Sequence, residues 1–135
     1  MNNSSYKTDS NPGNSKPKKK RALIVDDEID ICYLLSHILR QKDIQTSVAG
    51  SLAEADKMLQ SANPFYFVFL DNHLPDGLGI NQIKRWKDKF PSVHFIMITA
   101  HDSNEERRKA KADGADSMIG KPFSRDVIFK AIEEA

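Results

Sequence analysis

Ala22-Leu23-Ile24-Val25-Asp26-Asp27 and Phe65-Tyr66-Phe67-Val68-Phe69-Leu70-Asp71 follow one pattern: a short apolar run that halts at an acid. Runs of this kind read as strands buried on both faces of a parallel sheet. Open sheets of that type bind ligands in the crevice outside the carboxyl ends of their strands. Three carboxylates gathered at that edge need a reason to be together. Like charges held close cost free energy unless a cation or a shared proton sits among them.

Outward from these runs, Ile31, Leu34, Leu35, Ile38 and Leu39 recur at the spacing of one helical face, with Cys32 at its flank. Gln45 to Ala49 is a short, weakly apolar strand. Ser51 and Glu54 stand at capping-box spacing and open a second helix to about Ser61, and Pro64 bars its continuation. Leu74-Pro75-Asp76-Gly77 is a turn, and Ile80, Ile83, Trp86 and Lys87 trace a third amphipathic helix. His94 to Ile98 is the fourth strand, closed by Thr99 and Ala100. Ser103 and Glu106 repeat the capping-box spacing for a helix reaching Gly114, a left-handed stop. Ser117 to Gly120 is the fifth strand, Lys121-Pro122 follows, and Ser124 caps a last helix with Val127, Ile128, Ala131 and Ile132 as its buried stripe. Five strand–helix alternations with right-handed crossovers predict an α/β fold, a doubly wound five-stranded parallel sheet with helices on both faces.

A chain of 135 residues holds one domain with a real core. Residues 1–20 are polar, with almost nothing to bury, and read as a disordered polar and basic tail; residues 21–135 form the domain. The basic run Lys16, Lys18, Lys19, Lys20 and Arg21 reads as a solvated stretch beside it. Twenty Lys and Arg against nineteen Asp and Glu give a net charge of +1, without a global field for nucleic acid or an anionic membrane. No apolar run nears the roughly 18 residues of a membrane span, and a secretory h-region is absent, so a cytoplasmic location is expected. Cys32 is the single cysteine, which leaves no internal disulfide and reads as a buried thiol.

At the carboxyl ends of the strands stand Asp26 and Asp27, then Asp71, then Thr99, then Lys121 before Pro122. An acidic pair, a lone Asp, a hydroxyl and a Lys-Pro step in that order resemble the receiver domain of two-component response regulators, chemotaxis regulators included, over about residues 21–135. The resemblance implies a flavodoxin-like sheet of strand order 2-1-3-4-5. It implies Asp71 as phosphoacceptor, with Thr99 and Lys121 assisting. It implies Mg²⁺ as cofactor, held by Asp26, Asp27, Asp71 and the backbone carbonyl of His73. It also implies a cis Lys121-Pro122 bond, Thr99 as switch, and His73 and His101 as residues that modulate the lifetime of the acyl phosphate. The family's usual aromatic switch residue is replaced here by Met118, whose flexible thioether fills space without a ring.

A protein similar to this family is a signalling switch rather than an enzyme. Its expected partners are a sensor histidine kinase or phosphotransfer protein and a downstream protein target, met through the fourth helix, fifth strand and fifth helix, roughly Ser103 to Glu134. Neither direct DNA binding nor membrane contact is expected, and the chain is expected as a monomer or a weak phosphorylation-linked dimer. Two other readings share the fold: a Mg²⁺-dependent phosphohydrolase and a phosphorylation-independent interaction module. Haloacid-dehalogenase-like phosphatases carry a second Asp two residues after the nucleophile, where this chain has His73. His73 and His101 look superficially like a metal site, but with Asp71 they lack a helical i, i+4 ligand signature, so zinc is not expected.

Overall fold

The computed structural model describes residues 19–101 and 103–135; most of the expected tail, with Lys16 and Lys18, lies outside them. Five main strands run Arg21–Val25 (β1), Gln45–Ala49 (β2), Phe67–Asp71 (β3), His94–Thr99 (β4) and Ser117–Gly120 (β5). Five helices alternate with them: Ile29–Arg40 (α1), Leu52–Leu59 (α2), Ile80–Lys89 (α3), Asn104–Ala112 (α4) and Arg125–Glu133 (α5). The strands form one parallel sheet in the order β2-β1-β3-β4-β5, as the resemblance implies. Among the described residues no helix is long and apolar enough to cross a membrane.

Side chains alternate across a strand, so each central strand feeds two cores. Leu23, Val25, Val68, Leu70, Phe95 and Met97 meet α2 and α3 through Leu52, Ala55, Leu59, Ile80, Ile83 and Trp86. Ala22, Ile24, Phe67, Phe69, Ile96 and Ile98 meet α1 and α5 through Leu35, Ile38, Leu39, Ile128 and Ile132. This two-sided burial is why the runs read as continuously apolar rather than alternating.

Several local readings change in three dimensions. The buried face of α1 is Cys32, Leu35, Ile38 and Leu39, while Leu34 is 44% exposed. The small Cys32 lets the helix lie close to the sheet and donates its thiol hydrogen to the Asp26 carbonyl at 3.3 Å. Val127 likewise faces outward on α5. Phe65 and Tyr66 precede the third strand, which begins at Phe67 and includes Asp71. In the first capping box Ser51 Oγ accepts the Glu54 N–H at 3.1 Å, but Glu54 Oε1 accepts from Gly50 N at 2.7 Å instead of from Ser51.

The turn after β3 is the tip of a two-residue hairpin, His73–Leu74 against Gly77–Leu78. Its Asp76 accepts from the N–H groups of Leu52 and Ala53 at 2.9 and 3.0 Å, satisfying two free donors of α2. The chain then crosses directly over β3. A Cβ on Gly79 would lie 2.5 Å from the carbonyl oxygen of Asp71, so only glycine fits there. Asn72, buried beside it, accepts the Ile80 N–H on Oδ1 at 2.9 Å and starts α3.

Candidate functional site

Parallel pairing places Val25 beside Leu70 and Asp71 beside Ile98, so the ends of β1, β3 and β4 lie at one edge of the sheet. Asp26, Asp27 and Asp71 gather there, each offering a carboxylate oxygen within 4.8 Å of the others. Asp26 and Asp71 are buried, and Asp27 is exposed. Asp26 is held from two sides: its Oδ1 accepts the Glu28 N–H at 2.9 Å, and its own N–H donates to Ala49 at the end of β2.

Lys121 follows β5 and reaches back into this cluster. Its Nζ lies 3.1 Å from Asp26 Oδ2 and 3.4 Å from Asp71 Oδ1. A third carboxylate, Glu28, sits nearer still, with Oε1 at 3.0 Å. The Lys121–Pro122 peptide is cis. Burial opposes the ammonium charge, but the hydrogen bonds it donates to Glu28 and Asp26 and the nearby carboxylates outweigh it, and the Lys121 pKa is pushed above that of an ordinary lysine.

Asp71 is shifted upward, first by burial and then by the charge of Asp26, with Lys121 and the His73 N–H pulling the other way. One ammonium thus offsets the carboxylates only in part. The remaining negative charge, presented by hard oxygen donors, suits a divalent cation of the Mg²⁺ type.

Thr99, fully buried at the end of β4, bonds to the backbone of His101: Oγ1 accepts its N–H at 3.1 Å and donates to its carbonyl at 3.4 Å. The hydroxyl makes no hydrogen bond to Asp71. His73 and His101 are both exposed, and their rings stand edge to face with centroids 5.6 Å apart. Met118 is partly buried against the α2–α3 core, and its carbonyl accepts from Arg107 Nη1 at 3.1 Å. It lies outside the carboxylate cluster, at a cleft of about 340 Å³ lined also by Ala110, Lys111 and Ala115.

Asp26, Asp27, Asp71 and Lys121 therefore form one cluster at the sheet edge, and Thr99 closes the adjacent strand. Glu28, Asn72 and Asp76 escape a reading of the sequence, because each acts through a contact that no local spacing expresses. Glu28 is the nearest to legible, standing directly after the acidic pair.

The response regulator receiver domain family matches residues 22–133 of the chain. This chain belongs to that family. The receiver domain is 35% identical to the response regulator protein PilR of Pseudomonas aeruginosa over 104 residues, 77% of this chain and 23% of that protein. It is 29% identical over 118 residues to a probable chemotaxis protein CheY of Rhizobium etli, covering 86% of this chain and 92% of that one. A Burkholderia pseudomallei response regulator, solved with a phosphorylated aspartic acid, a calcium ion and citrate, superposes at a TM-score of 0.77. It is 27% identical, and the match covers 84% of this chain and 66% of that one. The chain spans about a quarter of PilR but nearly all of the CheY relative.

Proposed function

We propose that Asp71 accepts a phosphoryl group from a sensor histidine kinase or phosphotransfer protein, and that the acyl phosphate sets which partner the domain binds. The observation that carries this reading is the lysine ammonium 3.1 Å from Asp26 and 3.4 Å from Asp71 inside a three-carboxylate cluster. Asp26, Asp27, Asp71 and the His73 backbone carbonyl would hold Mg²⁺. The bound ion supplies charge neutralisation for the phosphoryl oxygens.

In the transfer, an Asp71 oxygen attacks phosphorus, an O–P bond forms, the P–N bond to the donor imidazole breaks, and the imidazole leaves with that electron pair. Lys121 holds its ammonium against the transferring oxygens, and burial of the pocket strengthens that interaction. The Thr99 hydroxyl, now held by His101, turns to donate to the phosphoryl oxygen. That exchange releases the His101 backbone and links the pocket to α4, β5 and α5, the surface offered to a protein target, with Met118 in the place of an aromatic gate. His73 and His101 border the entrance and set how fast water removes the group. The reaction is a self-limited transfer rather than turnover, and it takes place in the cytoplasm on a monomer or a weak, phosphorylation-linked dimer without direct contact to DNA.

Incubation with acetyl phosphate and Mg²⁺, followed by intact-mass measurement, tests the proposal. A gain of one phosphoryl group in the wild type and none in Asp71→Asn is expected. Continuous hydrolysis of phosphate esters, or no modification of the wild type, would overturn it.

A further inference from the structure

We propose that His73 and His101 form a two-imidazole site for a borderline divalent transition ion such as Zn²⁺ or Ni²⁺, separate from the carboxylate cluster and at its mouth. The two residues belong to different strand–loop junctions and meet only because β3 and β4 are neighbours in the sheet. Their ring centroids are 5.6 Å apart. Two imidazoles on one tetrahedral ion, with metal–nitrogen bonds of about 2.0–2.1 Å, place their centroids roughly 5.1 Å apart, close to the separation seen here, and exposed side-chain torsions let the ring nitrogens turn toward a shared ion. Nearly perpendicular ring planes, here 74°, are compatible with a shared ion because each ring turns freely about its metal–nitrogen bond.

Both backbones are anchored while both rings remain exposed. His73 pairs with Leu78 in the hairpin, and His101 is bonded through its N–H and carbonyl to Thr99. Chelation therefore orders two side-chain torsions per residue and little else, which keeps its entropic cost low. Ligand chemistry sorts the two neighbouring sites: carboxylate and carbonyl oxygens suit Mg²⁺, whereas imidazole nitrogen suits Zn²⁺ and Ni²⁺. Among the described residues no third His, Cys, Asp or Glu joins the pair in a cluster, so water completes the coordination.

Calorimetric titration of the full chain with Zn²⁺ in saturating Mg²⁺ tests this, on the wild type, His73→Asn, His101→Asn, the double variant, His37→Asn and Asp71→Asn. One equivalent should bind to the wild type, to H37N and to D71N alike. Either single substitution at the pair should weaken it roughly tenfold or more, and the double variant should lose little beyond that, because a chelate fails when either arm is removed. Wild-type affinity retained in the double variant, single losses that multiply in it, or binding that disappears in D71N would overturn the proposal. Circular dichroism confirms that each variant is folded. The titration uses unphosphorylated protein, so its outcome does not rest on the phosphotransfer proposed above.

Discussion

Lys121 illustrates how one side chain can serve three acids at once. Its contact with Glu28 is the shortest of the three, yet Glu28 is 61% exposed, so water screens that pair and its share of stability is small, roughly 0–1 kcal/mol. Glu28 instead competes for the ammonium and adds negative charge where an anionic donor approaches. Glu28→Gln should leave the denaturation midpoint within about 0.5 kcal/mol of wild type and raise the initial rate of labelling by acetyl phosphate a few-fold. Stopped-flow or mass-resolved labelling under saturating Mg²⁺ measures that rate, and a slower variant would refute the competition. Asp71 carries the opposite lesson. Burial and the Asp26 charge raise its pKa, so its folded value exceeds its unfolded one. Stability is then lost as pH rises from the unfolded pKa through the folded one, and the full penalty applies above the folded value. Asp71→Asn should therefore raise the melting temperature in chelator, and Mg²⁺ should raise that of the wild type by more than that of the variant. These two acids also differ in legibility: Asp71 ends a strand-like run, whereas Glu28 only follows the acidic pair, and its contact with Lys121 leaves no local pattern.

At the scale of elements, α2 and α3 are joined by a polar bond beside an apolar contact. The fully buried Trp86 of α3 donates its indole N–H to Asp56 Oδ1 of α2 at 2.9 Å, and Arg85 pairs with the same carboxylate at 3.1 Å. Trp86 reads as a core residue from helical spacing alone, but its partner does not, since Asp56 sits on the polar side of α2 in any one-dimensional pattern. The indole bond, followed by the Arg85 charge, holds the Asp56 carboxyl below its usual range against the opposing effect of burial. A depressed pKa contributes stability above the unfolded value near 3.8 that is lost as pH falls through the folded one. Asp56→Ala strands a buried donor and should cost about 1–3 kcal/mol in urea unfolding followed by Trp86 fluorescence. The loss should shrink but not vanish in acid, where the wild type has given up the charge while its protonated carboxyl still accepts the indole N–H.

Across the whole molecule, the thiol of Cys32 reports on the closure of α1 against the sheet. Burial first, then the Asp26 charge, pushes its pKa up to about 11. A neutral, 8% exposed thiol attacks poorly, so its reaction with a disulfide reagent at neutral pH should follow opening of the fold and accelerate sharply across the denaturation transition. Rapid labelling of the native protein would place Cys32 outside the core. The sequence by itself determined the strand runs, the helices, the two-sided sheet and the convergence of Asp26, Asp27, Asp71 and Lys121. Each of these rests on a periodicity repeated over many residues or on a position at the end of such a run, and local chemistry suffices to read it. Only the tertiary structure decided that Glu28 meets Lys121, that Asp56 meets Trp86, that Asp76 caps α2, and that His73 faces His101. Those pairings depend on which strands are neighbours and in what register, and a single polar side chain leaves no pattern along the chain from which its distant partner can be inferred.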